Sequence, residues 1–149
     1  MRTINHIILH CTATPQSTTI PSIQRYWREE LHWKNPGYHF IIKITGEAVN
    51  LLPIEQVSNG VAGHNHDSIN ISYIGGIAPT GNPLDNRTTQ QVNTQIELVT
   101  KFKKMFPNAD VVGHRDFLTP GKPGWKYCPS FDVRSWWEKV KSFNQNKIG

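Results

Sequence analysis

Along this chain, runs of β-branched and apolar residues alternate with stretches whose apolar positions recur every three to four residues. Residues 4–10 are an apolar, β-branched run that predicts a central strand, broken by Thr12-Ala13-Thr14-Pro15. Residues 21–32 predict a helix, with Pro21 or Ser22 near its start and Ile23, Tyr26, Trp27 and Leu31 along one face. After the turn Trp33-Lys34-Asn35-Pro36-Gly37, residues 38–44 and 47–52 read as two strands joined at Thr45-Gly46. A polar loop over 53–67 leads into a strand at 68–74, and a loop rich in Pro, Gly and Asn runs to about residue 87. The next helix starts at Thr88 or Thr89 and ends near Phe106, with Ile96, Val99, Phe102 and Phe106 as a core stripe. Residues 110–113 form a short strand ahead of His114. Ser130 is the expected cap of a last helix that buries Val133, Trp136, Trp137 and Val140. No repeat or linker interrupts this order, so residues 1–149 are expected to form one α/β domain: a central mixed β-sheet flanked by helices.

Composition narrows the functional classes. A net charge of +5 and a pI near 9.4 fit an anionic partner, such as bacterial wall polymer or nucleic acid, and equally well a merely soluble basic surface. No helix rich in Arg and Lys supports the nucleic-acid alternative. No stretch approaches the roughly 20 apolar residues that span a membrane. The apolar run after Met1-Arg2-Thr3 stops at His10, too short for a signal peptide, so synthesis in the cytoplasm is expected. In that compartment Cys11 and Cys128 stay reduced. Neighbours on a strand point to opposite faces, so if His10 faces a site, Cys11 faces the core.

The candidate chemistry gathers where strands end. Lys126 and Cys128 are two residues apart, and in an extended segment they face one space. That puts an ammonium beside a potential metal thiolate. His10 and His114 each close a predicted strand, and such ends converge on one cleft in an open α/β sheet. Two imidazoles and a thiolate suit zinc and leave a fourth position open, as catalytic zinc requires.

The segments Ile8-Leu9-His10-Cys11-Thr12-Ala13-Thr14, Gly37-Tyr38-His39-Phe40-Ile41-Ile42, Asn65-His66-Asp67-Ser68-Ile69, Gly75-Gly76, Gly113-His114-Arg115-Asp116 and Lys126-Tyr127-Cys128-Pro129-Ser130-Phe131-Asp132 keep one order along nearly the whole chain. In these the chain resembles the zinc-dependent N-acetylmuramoyl-L-alanine amidases, whose fold is shared by T7 lysozyme-like endolysins and peptidoglycan-recognition proteins. The endolysin branch is the closer likeness. The resemblance implies that His10, His114 and Cys128 hold Zn2+, and that Tyr38 and Lys126 complete the catalytic set. It also implies the reaction: hydrolysis of the amide between the lactyl group of N-acetylmuramic acid and the L-alanine of the stem peptide, with zinc-activated water as nucleophile. The expected enzyme is a monomer with peptidoglycan as its partner and no organic cofactor, acting on the cell wall after release or export.

Asn65 and His66 match a loop that borders the substrate groove in that family, and a plain exposed loop explains them equally well. Asp116 either orients His114 or caps the loop after it, and Arg115 either meets a stem-peptide carboxylate or is solvated. Two departures stand out. Val61-Ala62-Gly63 replaces a segment that carries a histidine in many relatives, and residues 117–125 differ in length. A non-catalytic peptidoglycan-binding module is the main rival reading, and a regulator that binds another protein is a second. Such modules typically lack the zinc cysteine, and this chain has Cys128.

Overall fold

In the computed structural model, which describes residues 2–122 and 126–148, five strands and three α-helices follow the expected order. They are β1 (His6–Cys11), α1 (Ile20–Glu29), β2 (Phe40–Ile42), β3 (Ala48–Asn50), β4 (Ser68–Tyr73), α2 (Thr89–Met105), β5 (Asp110–Gly113) and α3 (Val133–Ile148). The sheet order is β3-β2-β4-β1-β5. β1 pairs in parallel with β4 and β5, β2 pairs in parallel with β4, and only β3 runs antiparallel. The expected mixed sheet is therefore present, with β1 between two parallel neighbours.

Alternation along the parallel strands sorts the side chains into two layers. Ile7, Leu9 and Cys11 of β1 share a face with Ile69, Ile71 and Tyr73 of β4, and pack against Val99 and Phe102 of α2 and Val133 and Trp137 of α3. Each such aliphatic side chain, fully buried, contributes about 1.5–3 kcal/mol. Cys11 thus faces the core, as its place next to His10 predicted. The opposite face carries Ile8, His10, Asn70 and Ser72, by the register Ile8↔Asn70 and His10↔Ser72. There, α1 lays Ile20, Ile23 and Trp27 over Ile41, while Val61 and Phe117 cover Ile8 and Val112.

Several boundaries differ from the periodic reading, each for a local reason. α1 ends at Glu29 rather than 32, and His32 adopts a positive φ of 55° that no helix continues through. Tyr26, and Leu31 beyond the helix end, stay exposed, facing the cleft described below rather than the core. The hairpin strands shrink to three residues each, although Lys43 N–H still donates to Glu47 O and Leu51 N–H to His39 O. In α2 the buried set is Gln91, Gln95, Val99 and Phe102, and Ile96 is only half-buried. Gln91 is buried because its amide works at both ends: it closes a capping box with Thr88 and donates to Ile42 O and Ile74 O at the sheet end. Ser130 does not cap α3. Its hydroxyl donates to Gly76 O, and the cap contacts come from Asp132, whose carboxylate and carbonyl accept from Ser135 and Trp136 N–H. None of the described helices is long and apolar enough to cross a membrane.

Candidate active site

Three segments meet on the α1 face of the sheet. β1 brings His10 near its C-terminal end, wholly buried. β5 ends at Gly113, and His114 opens a short 3-10 turn over His114–Phe117. The close approach of the third segment needs that glycine: a Cβ on Gly113 would lie 2.9 Å from Pro129 Cδ and 3.0 Å from Val133 Cγ2. The Cys128 segment is then pinned on both sides. Arg115 N–H donates to Cys128 O at 2.9 Å, and Tyr73 Oη donates to Pro129 O at 2.6 Å.

The consequence is that one nitrogen of His10, one of His114 and Cys128 Sγ lie within 4.8 Å of one another. His10 Nδ1 is 3.9 Å from Cys128 Sγ, and the two imidazole rings meet edge to face with centroids 5.0 Å apart. Both imidazoles are held neutral. Burial, aided by His114 and Lys126, lowers His10 to about 3, and burial with Lys126 lowers His114 to about 4. Burial also pushes the Cys128 thiol above its ordinary range, and its donor Cys11 N–H lies at 3.2 Å. Neutral imidazoles and a sulfur on one small volume are the donor set that zinc accepts once the thiol gives up its proton.

His114 and Cys128 open onto a cleft of about 740 Å³, lined also by Tyr38 and Lys126, with His10 wholly buried behind them. Tyr38 sits just ahead of β2, its ring centroid 5.0 Å from that of His10, and its hydroxyl donates to Cys11 O at 3.4 Å. Burial pushes its phenol well above the ordinary range, so Tyr38 is a neutral donor. Trp27 stands edge-on to Tyr38 at 5.5 Å and stacks near Trp33, giving the far wall an aromatic surface. Lys126 and Cys128 do share one space.

Other expected positions fall elsewhere. Asn65 and His66 are not among the residues lining this cleft. Asn65 Oδ1 accepts from Val61 N–H at 2.7 Å, holding its own loop, and His66 lies beside Asp67 with an exposed ring. Asp116 takes the capping role, accepting from Gly113 N–H at 2.7 Å. Residues 123–125, the end of the loop expected to border the site, lie outside the described residues.

One site residue escaped the pattern reading. Asn70, in the middle of β4, is wholly buried and meets His10 Nε2 through Oδ1 at 2.7 Å. Its only signal is a lone amide inside the apolar run Ser68-Ile69-Asn70-Ile71.

Comparison with known proteins places the sequence and the fold. A family profile described as N-acetylmuramoyl-L-alanine amidase matches residues 1–131. The endolysin of Klebsiella phage KP32 is 34% identical over 136 residues, covering 91% of this chain and 86% of that protein. The endolysin of Escherichia phage T7 is 34% identical over 134 residues, covering 89% and 85%. Among solved structures, the Ph2119 endolysin from a Thermus scotoductus bacteriophage superposes with a TM-score of 0.73 at 25% identity, over 95% of this chain and 85% of that one. The match spans the sheet and the His10–His114–Cys128 cluster alike, and the chain belongs to the N-acetylmuramoyl-L-alanine amidase family.

Proposed function

We propose that this amidase binds one zinc ion through His10, His114 and Cys128 and cleaves the bond between the lactyl group of N-acetylmuramic acid and the L-alanine of the stem peptide. The observation that carries the reading is the convergence of those three donors on one small volume at the wall of a cleft that His114, Cys128, Tyr38 and Lys126 line. Bound there, zinc would lower the pKa of a water from about 15.7 to about 7 and polarise the scissile carbonyl. The chain's own groups supply the rest. Tyr38 and Lys126 face the space where the carbonyl oxygen gains charge, one as a hydrogen-bond donor and one as a cation. The aromatic wall from Trp27 to Trp33 offers apolar surface to the substrate while keeping water off one side of the cleft. The expectation that Asn65 and His66 contact substrate finds no support in their placement.

A digest of purified muropeptides tests the reaction. Free stem peptide and peptide-free glycan should appear by mass spectrometry with zinc present, and disappear with a chelator. Binding without cleavage would instead favour a recognition module, and cleavage untouched by thorough chelation would remove zinc from the reading.

Proton release on metal uptake is a second check. At pH 6, histidines of ordinary pKa would each be about three-quarters protonated and would together release about 1.5 protons on binding a metal. His10 and His114, held at about 3 and about 4, are already neutral at that pH. Only the Cys128 thiol has a proton to give, so zinc uptake should release about one proton rather than about 2.5. Calorimetry in buffers of different ionisation enthalpy counts it. A value above two would mean that the imidazoles are charged before the metal arrives.

A further inference from the structure

We propose that Asn70 is a positioning residue: it fixes His10 as the Nε2–H tautomer, leaving the Nδ1 lone pair for the metal, and is itself oriented by Ser58 and His39. The inference rests on the zinc reading above but concerns a side chain that touches neither metal nor substrate. It follows from the direction that each hydrogen bond in a buried chain must take.

The chain starts at the backbone. Asn70 N–H donates to His39 Nδ1 at 3.0 Å, so that nitrogen carries a lone pair and no proton. His39 Nε2 then carries the proton and donates to Gln56 O at 2.8 Å. Arg2 Nη2 also approaches Nε2, at 3.2 Å, but that nitrogen already donates to Ser68 O at 2.7 Å and needs no acceptor from His39. Burial holds His39 down to about 4, so its ring remains neutral. Nδ1 cannot donate, so in its 3.1 Å contact with Ser58 the hydroxyl is the donor, sharing the Nδ1 lone pair with Asn70 N–H and leaving oxygen lone pairs toward Asn70. Asn70 Nδ2 donates to that oxygen at 2.8 Å, with Asn65 Oδ1 as a second acceptor at 3.5 Å. The amide is thereby oriented, and the atom left for His10 is Oδ1, an acceptor only. His10 Nε2, 2.7 Å away, must carry the proton.

The opposite orientation would do harm. Turned around, Asn70 would offer N–H to Nε2 and drive the His10 proton onto Nδ1, the nitrogen facing Cys128 Sγ. The room for this arrangement is specific as well. A Cβ on Gly60 would overlap the Asn70 amide, so the loop above β4 leaves that space to Asn70. Histidine ligands of metals usually give their second N–H to an acceptor, and losing that acceptor typically costs about ten- to a hundredfold in metal affinity.

The test reads the tautomer without metal. In zinc-free protein labelled with 15N at histidine, long-range 1H–15N spectra should show His10 as Nε2–H in the wild type and a mixture of tautomers in Asn70→Leu. Zinc affinity, measured by competition with a chromophoric chelator, should fall about tenfold or more in the same variant. Ser58→Ala keeps Asn70 but removes what orients it, and should give a smaller loss of the same kind. If Asn70→Leu fails to fold by circular dichroism, Ser58→Ala decides. A wild-type His10 in the Nδ1–H form overturns the proposal, as does a folded Ser58→Ala protein with unchanged tautomer and zinc affinity. A wild type that shows the Nε2–H form but takes up no zinc would overturn the zinc reading instead.

Discussion

Replacing Cys128 with serine should strip the protein of zinc and lower its turnover by at least about a thousandfold. The figure follows from what the metal would supply, several kcal/mol of transition-state stabilisation, of which about 4 kcal/mol corresponds to that factor. A serine hydroxyl stays protonated at neutral pH and is a poor zinc donor, so two neutral imidazoles would remain, too few for a stable site. The fold should survive. Cys128 is anchored through its carbonyl to Arg115 N–H, and the next two residues are held by Tyr73 Oη on Pro129 O and Ser130 Oγ on Gly76 O, none of which involves the thiol. Metal analysis of the purified variant checks the first half of the prediction. Thermal melts check the second: added zinc should raise the wild-type midpoint by mass action and leave that of Cys128→Ser where it was. A Cys128→Ser protein with one zinc per chain and full turnover would remove Cys128 from the ligand set.

How much of this was legible in the sequence depends on the distance over which each feature is decided. The β1 run and the α2 periodicity are local, and their elements stand within a few residues of the expected bounds. The lengths of β2 and β3 are decided by partners: His39 N–H already donates to Asn70 O of β4, but the regular β2 ladder begins only at Phe40, paired with Ile71. Gln91 was invisible as a buried residue because periodicity counts polarity and not the carbonyls that a buried amide can serve, and Gln95 because its Oε1 accepts from Arg87, which lies ahead of the helix. The same limit hid Asn70. A polar residue within an apolar strand reads as an irregularity until the neighbouring strand is known to place His10 beside it. By contrast, His10, His114, Cys128 and Lys126 were legible because strand ends and two-residue spacing are local signals of where side chains point. Ser130 shows the reverse error. It has the residue type of a helix cap, but a φ of 71° turns the chain, and capping passes to Asp132.

Lys126→Ala and Tyr38→Phe should each keep zinc near one per chain and lose roughly a hundredfold to a thousandfold in kcat, the usual effect of removing one donor at a developing oxyanion. Both side chains line the cleft beside the three metal donors without being among them. Their contribution therefore belongs to the charge that builds on the substrate oxygen, and KM should change less than kcat. The two differ in kind. Lys126 brings a charge, so Lys126→Arg should recover part of the loss, while Lys126→Met, of similar length, should not. Tyr38 brings a neutral hydroxyl: with its phenol pushed well above the ordinary range by burial, it donates a hydrogen bond at every pH where the protein is folded. Tyr38→Phe should accordingly lower the pH–rate curve without moving its limbs. A shifted alkaline limb would show instead that Tyr38 exchanges a proton during turnover. Two neighbouring donors acting on one oxygen should also be non-additive, so the double variant should lose less than the product of the single losses. Hydrolysis unchanged in both single variants would take Tyr38 and Lys126 out of the mechanism, and zinc lost from Lys126→Ala would place the lysine's role in holding the site together rather than in turnover.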